Sequence, residues 1–289
     1  MSDVGQIERH TQNRIVKLFT DESGLGYINL GNWEDNPNNN NIEELYLKKY
    51  LVNKACYTEV MASRAIYKLK AEANNADRNL YNNNKEVYKL LRYGVEVSEG
   101  PGERYQRIHF INWDEPEKNH FGIAEEVTFH GYREKRPDIV LYVNGIALVV
   151  LELKRSTVTI GNGIRQSIVN QQKQFIEEFF PTIQLVMAGN DTEGLRYGTI
   201  GTPEKFFLRW KEDEEDSSQL QLDKYLAKIC NKKRLLEIIH DFVLFDGGIK
   251  KLPRYHQYFG IKAAQEHVRR REGGIIWHTQ GSGKSIVMV

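Results

Sequence analysis

The chain has few cysteines, few prolines and no long apolar run, and each scarcity removes a class of protein. Two cysteines in 289 residues, Cys56 and Cys230, lie far apart and without metal-ligand spacing. That excludes a disulfide-built scaffold and a zinc ribbon, and both are expected to be reduced packing residues of a cytoplasmic protein. No stretch approaches the ~20 apolar residues of a membrane-spanning helix. The first residues, Met-Ser-Asp-Val-Gly, lack the charged-then-apolar pattern of a secretion signal. Neither sign of charge dominates: 40 Lys and Arg against 39 Asp and Glu give +1, which argues against a protein that coats nucleic acid by bulk charge. Any DNA surface must be local, and candidates are Arg133, Lys135 and Arg136, then Lys154 and Arg155, then Arg269, Arg270 and Arg271. The acidic run at residues 212–216 opposes them and reads as a solvated loop or linker. With 40% hydrophobic residues, the chain is long enough to bury a core and to hold more than one domain.

What is present is concentrated in residues 136–154, Arg-Pro-Asp-Ile-Val-Leu-Tyr-Val-Asn-Gly-Ile-Ala-Leu-Val-Val-Leu-Glu-Leu-Lys. Ile139 to Val143 and Ile146 to Leu151 are β-prone runs, and Asn144-Gly145 between them is a strong signal for a two-residue hairpin turn. Strands this apolar on both faces belong in the middle of a covered sheet. In such a hairpin Asp138, at the start of one strand, lies beside Glu152 and Lys154, at the end of the other. Period-two alternation sends Glu152 and Lys154 to one face and Leu151 and Leu153 to the other. Two carboxylates and an ammonium at the rim of an apolar ribbon suit a divalent cation and a phosphate. A structural Glu–Lys pair is the plainer alternative, but charges left unmatched at the end of a buried strand are costly.

Elsewhere the pattern is coarser. Residues 6–19 read as a helix, 34–42 as a loop, and 43–73 as one or two helices, followed by a polar Asn-rich stretch at 74–85. Residues 95–132 read as strands broken by turns, including 106–111 and 126–130. Residues 163–180 read as an amphipathic helix carrying Ile164, Ile168, Phe175 and Phe179, and 184–188 as a short buried strand. This order suits an α/β core with the site at a sheet edge. Gln166 and Asn170, four apart, share one face of the helix, which could equally be an ordinary exposed polar face.

The last segment, Gly273-Gly274-Ile275-Ile276-Trp277-His278-Thr279-Gln280-Gly281-Ser282-Gly283-Lys284-Ser285, reads as a short strand, a glycine-rich turn and a helix start. Backbone N–H groups of Gly281, Ser282 and Gly283 would close around phosphate, Lys284 would reach the β- and γ-phosphates of ATP, and Ser285 would hold Mg²⁺. The first glycine usual in this loop is His278 here. No acidic pair for hydrolysis follows before Val289, so the segment is expected to be the first part of a longer motor.

The Pro137-Asp138 pair with Glu152-Leu153-Lys154 resembles the Pro-Asp…(Asp/Glu)-x-Lys signature of the restriction-endonuclease-like nucleases. That resemblance implies an α/β nuclease core, a mixed sheet flanked by helices. It makes Asp138 and Glu152 ligands of Mg²⁺ and Lys154 the cation that orients water and stabilises phosphate charge. Many bacterial nucleases of the superfamily carry Gln-x-x-x-Tyr beside the metal. Gln166 matches, and Asn170 stands where the Tyr would fall, while Gln171 and Phe175 offer a weaker register. The superfamily's acidic residue on its first helix could be Glu8, although a solvated helix glutamate is the default. In helicase-like motors a Gln ahead of the P-loop, often with an Arg three residues before it, recognises adenine, and Gln257 and Arg254 resemble that pair.

A metal nuclease signature followed by a helicase P-loop resembles the restriction (R) subunit of type I restriction enzymes. The resemblance runs from Ile7-Glu8-Arg9-His10 through Leu25-Gly26-Tyr27, Arg196-Tyr197-Gly198-Thr199 and Arg254-Tyr255-His256-Gln257-Tyr258. It implies a nuclease domain at 1–210, an acidic and helical linker at 211–252, and the start of a RecA-like motor at 253–289. It also implies Mg²⁺-dependent cleavage of double-stranded DNA, coupled in the whole subunit to ATP-driven translocation, in complex with methyltransferase (M) and specificity (S) subunits. Another bacterial helicase-nuclease for repair or end processing, or a non-catalytic DNA-binding module, are the alternatives.

Overall fold

The computed structural model describes residues 3–212 and 220–288, with side chains from Arg9 onward. The chain opens with helix α1 (Asp3–Thr20), strand β1 (Ile28–Asn32), and helices α2 (Glu44–Asn53), α3 (Glu59–Ala73) and α4 (Leu80–Tyr93). A small ribbon of β2 (Val95–Val97) and β3 (Gln106–Ile108) leads to β4 (Phe121–Glu125), β5 (Ile139–Val143) and β6 (Ile146–Leu153). Helix α5 (Ile160–Asn170), β7 (Leu185–Asn190), β8 (Gly194–Gly198) and β9 (Leu208–Arg209) follow. The last part holds α6 (Gln221–Ile229), α7 (Lys232–Asp241), the hairpin β10 (Leu244–Asp246) and β11 (Ile249–Lys251), α8 (Tyr255–Arg270) and α9 (Lys284–Val287).

A mixed sheet in the order β1-β4-β5-β6-β7-β8-β9 is the frame. β1 runs parallel to β4 and β6 parallel to β7, and the remaining neighbours are antiparallel. Every residue of β5 and β6 is buried, as two-sided apolar runs require. On one face Ile139, Leu141, Leu151 and Leu153 join Ile15 and Phe19 of α1 and the apolar sides of α2, α3, α4, α6 and α7. On the other, Val140, Tyr142 and Val150 pack against Ile160 and Ile164 of α5 and against Phe179 and Phe180. Residues 221–241, expected to lie in an acidic and helical linker, add Leu222, Leu226, Leu235 and Ile239 to the main core.

The hairpin turn forms as its sequence predicts, with Asn144 at φ 53° and Gly145 at φ 85°. Asn144 is fully buried: its Nδ2 donates to Phe110 O (2.9 Å) and Asn119 Oδ1 (2.8 Å), and its Oδ1 accepts from the His120 N–H (2.7 Å). A Cβ at Gly145 would lie 2.8 Å from Glu43 O and from Leu47 N, so both torsion and space demand glycine. Gly145→Ala should therefore lower stability by about 1–3 kcal/mol. Urea unfolding of the full chain should show the midpoint fall; an unchanged midpoint would mean that the turn adopts another conformation.

Several expectations fail for physical reasons. The Asn-rich stretch does not stay irregular through residue 85, because α4 starts at Leu80 behind an Asn79 cap and buries Val87, Tyr88 and Leu91. The helix expected over 163–180 stops at Asn170, and Phe179 sits in a 3₁₀ turn, Glu177–Thr182, that contains Pro181. Residues 126–130 do not form a strand, since Glu126 takes φ 50° and breaks the ladder after β4. The strand expected before the P-loop is also absent: Ile275 and Trp277 are each 89% exposed, and no strand pairs with this run among the described residues. Of the acidic run, only Glu212 lies within the described residues. It is mostly buried and ion-paired to Arg234 and Lys228, rather than solvated.

Candidate active site

The register places the rim residues. Ile139 pairs with Leu151, so the next step outward sets Asp138 opposite Glu152. Opposed residues of an antiparallel pair share a face, and Lys154, two beyond Glu152, shares it as well. The Asp138 carboxylate accepts the Leu153 N–H at 2.6 Å and lies 3.9 Å from Lys154 Nζ, which also donates to Leu153 O at 2.8 Å. Glu152 is fully buried; its Oε2 accepts from Gln166 Nε2 at 2.7 Å and its Oε1 from Asn170 Nδ2 at 3.4 Å. Asp138, Glu152, Lys154, Gln166 and Asn170 therefore converge, with Asn170 supplying an amide where a Tyr was the resemblance's expectation.

Helix α5 reaches Glu152 because Gly163 lets it come close: a Cβ there would lie 3.2 Å from Ala188 Cβ and 3.6 Å from Glu152 Cβ. Burial, and then the negative charge of Asp138, hold the Glu152 carboxyl well above the usual carboxylate range, with Lys154 offsetting part of the effect. Two carboxylates in this position share a proton or a cation. Asn170 Oδ1 is a buried oxygen with no hydrogen-bond partner among the described residues. Hard oxygen donors of this kind fit Mg²⁺, which is held by one or two carboxylates and keeps several waters. No group of three or more His, Cys, Asp or Glu forms a denser metal cluster among the described residues.

Glu126 is a neighbour that sequence reasoning did not single out. Its backbone N–H donates to Asp138 O at 2.9 Å, and its carboxylate pairs with Arg136 Nε at 2.8 Å and Arg9 Nη1 at 3.7 Å. The available signal was an acidic pair directly after the apolar β4 run. The side chain of Glu8, also a candidate, lies outside the described residues. Gln12, one turn on, donates to the buried Glu125 at 3.1 Å.

The second cluster lies at the other end of the chain. Gly281 (φ 77°) and Gly283 (φ 83°) curl the loop ahead of Lys284. Lys284 Nζ donates to His278 O at 3.3 Å, and Ser285 is exposed at the start of α9. Gln257 does not face open space: its Nε2 donates to Ser282 O (3.1 Å) and Gly283 O (3.2 Å), and its Oε1 accepts the Arg254 N–H (2.8 Å). A cavity of about 440 Å³ beside it is lined by Thr199, Phe206, Lys250, Arg254, Gln257 and Gly283 among others. Lys250 is buried, with Nζ donating to Asn84 Oδ1 (2.8 Å), Gln184 Oε1 (2.6 Å) and Ile183 O (3.4 Å). Burial pushes its amine well below the usual lysine range.

A mixed α/β sheet with an acid–acid–amine cluster at its rim, followed by a glycine-rich loop ahead of Lys284, is thus the class of protein. The sequence matches the family profile described as type I restriction enzyme R protein N terminus over residues 6–205, and the chain belongs to that family. Residues 256–289 match the SWI2/SNF2 ATPase profile. Among curated proteins it is similar to the type I restriction enzyme HindI endonuclease subunit of Haemophilus influenzae, 30% identical over 71% of this chain and 22% of the relative. It is also similar to the putative type I restriction enzyme MjaIXP endonuclease subunit of Methanocaldococcus jannaschii, 26% identical over 80% of this chain and 25% of the relative. The chain spans about a quarter or less of the length of these relatives. No helix among the described residues is long and apolar enough to cross a membrane.

Proposed function

We propose that this chain is the nuclease-bearing portion of the R subunit of a type I restriction enzyme. Its activity is Mg²⁺-dependent endonucleolytic cleavage of double-stranded DNA, coupled in the full-length subunit to ATP-driven translocation, in a cytoplasmic complex with M and S subunits. The observation that carries the reading is the buried Glu152 facing Asp138, a carboxylate pair whose mutual charge calls for a cation. The family match supports the assignment to type I restriction.

In this reading β4 to β7 with α5 are the centre of a restriction-endonuclease-like core. Asp138 and Glu152 hold Mg²⁺, which when bound supplies Lewis-acid activation of water and offsets phosphate charge. Lys154 holds its ammonium beside Asp138, where it positions the attacking water and neutralises charge that develops on phosphorus oxygens. Gln166 fixes the Glu152 carboxylate in one orientation, the part an outer-shell amide plays at a metal centre. Gly281, Ser282, Gly283, Lys284 and Ser285 cradle the phosphates of ATP and its Mg²⁺. Arg254 and Gln257 would take the adenine end, where the Gln257 amide, now donating to Ser282 O and Gly283 O, could donate to and accept from the base.

The test is Mn²⁺ binding to the full-length protein, followed by electron paramagnetic resonance, alongside Mg²⁺-dependent nicking of plasmid DNA by the assembled enzyme. The parent should bind Mn²⁺ at this site and nick DNA, and Asp138→Asn should lose both. Equal Mn²⁺ binding and equal nicking by Asp138→Asn would refute the assignment.

A further inference from the structure

We infer that the ribbon linking β4 to β5 is a docking surface for the phosphate backbone of duplex DNA beside the candidate nuclease centre, an inference that rests on the nuclease reading above. Past the break at Glu126 the two chain segments are tied again by single backbone hydrogen bonds and one isolated bridge. Glu126 N–H donates to Asp138 O (2.9 Å), Val127 N–H to Pro137 O (3.1 Å), and Phe129 and Lys135 exchange backbone bonds of 2.9 and 3.2 Å. These bonds tie the ribbon to the segment that leads through Asp138 into β5. Its tip is seated on the segment after α5. A Cβ at Gly131 would collide with Phe175 O, and the Phe129 ring meets Phe179 edge-on at 5.2 Å.

Two cations ride on this ribbon, and they are held by an aromatic ring instead of by acids. Lys135 Nζ lies 4.6 Å from the Phe175 ring centre and Arg133 Cζ 5.9 Å from it. Neither forms an ion pair among the described residues, whereas neighbouring Arg136 is paired to Glu34 and Glu126. The acid at the tip, Glu134, is turned onto His130 at 3.0 Å. Cations stacked on a ring keep their charge available and lose little freedom when an anion arrives. Tyr132, 80% exposed between them and Gly131, adds a phenol that can donate to a phosphate oxygen.

Position selects the partner. Lys135 is three residues from Asp138 along a paired ribbon, about 10 Å at the usual strand rise. One DNA strand carries a phosphate every ~3.4 Å of helix axis, so a duplex with a phosphodiester at the Asp138–Glu152 rim presents further phosphates at that distance. A chain of net charge +1 has no bulk attraction for DNA, and such local cations supply it.

The experiment is acetylation footprinting of lysines in the full-length protein, in EDTA, with and without saturating duplex DNA, read by mass spectrometry. Duplex should slow acetylation of Lys135 several-fold, and polyglutamate at equal charge should not. The double variant Arg133→Ala/Lys135→Ala should also flatten the salt dependence of DNA binding by about 1.8 in log–log slope, the value for two phosphate contacts. Unchanged Lys135 reactivity under saturating duplex, equal protection by polyglutamate, or an unchanged slope would overturn the inference. Plasmid cleavage by Glu152→Gln separates the two readings. Loss of cleavage with Lys135 still reactive leaves the nuclease centre standing and removes this surface; retained cleavage with Lys135 protected does the reverse.

Discussion

Glu152→Gln should abolish DNA cleavage by the assembled enzyme while leaving DNA binding and the fold intact. The exchange keeps shape and leaves an amide oxygen to accept from Gln166, but it removes the charge that would hold a cation. Loss of an outer partner of a metal ligand typically costs 10- to 100-fold, so loss of the ligand itself should cost more than about a hundredfold. Stability should move the other way. The carboxyl of Glu152 is raised by burial, so the folded state binds its proton more tightly than the unfolded chain does. Stability from this group is therefore full below the unfolded carboxyl range and is lost as pH rises above it. At neutral pH and without metal, the neutral amide should raise the unfolding midpoint above that of the parent. A variant that still cuts, or one that cuts poorly because it unfolds earlier, would each contradict the role assigned to Glu152.

Lys284→Ala in the full-length protein should reduce ATP hydrolysis by at least about a hundredfold, the scale for removing one preorganised donor from a centre of developing charge. Its ammonium now rests on His278 O, a weak contact that nucleotide phosphates would replace. Cleavage that depends on translocation should disappear with it, whereas Mn²⁺ binding at Asp138 and Glu152 should persist. Lys284 and the acid pair lie in separate parts of the fold, so the two losses should be separable. Undiminished hydrolysis in the variant would remove the P-loop assignment.

The hairpin was readable because three independent local signals coincide: two unbroken apolar runs, Asn144-Gly145 between them, and charges confined to their far ends. Period-two geometry then fixes which side chains share a face without further information. The partnership of Gln166 with Glu152 was not readable from spacing alone. It depends on how α5 crosses β6, which Gly163 permits through the absence of a side chain. Helix α4 was hidden by Asn82, Asn83 and Asn84, poor helix formers whose cost is outweighed by tertiary contacts. Asn84 alone donates to Phe180 O, Pro181 O and Ile183 O. The run at 273–278 shows the converse. Its composition suits a strand, but a strand needs another to pair with, and among the described residues none pairs with this run.

The Lys250 amine threads the β10–β11 hairpin into the layer formed by α4 and the start of β7. Withdrawing it would bare the oxygens of Asn84 and Gln184 to a dry interior at the same moment. The junction ahead of α8 is therefore a rivet and not a hinge. Force applied at the glycine-rich loop ahead of Lys284 would be conveyed into the floor beneath the sheet, instead of being dissipated in a slack tether.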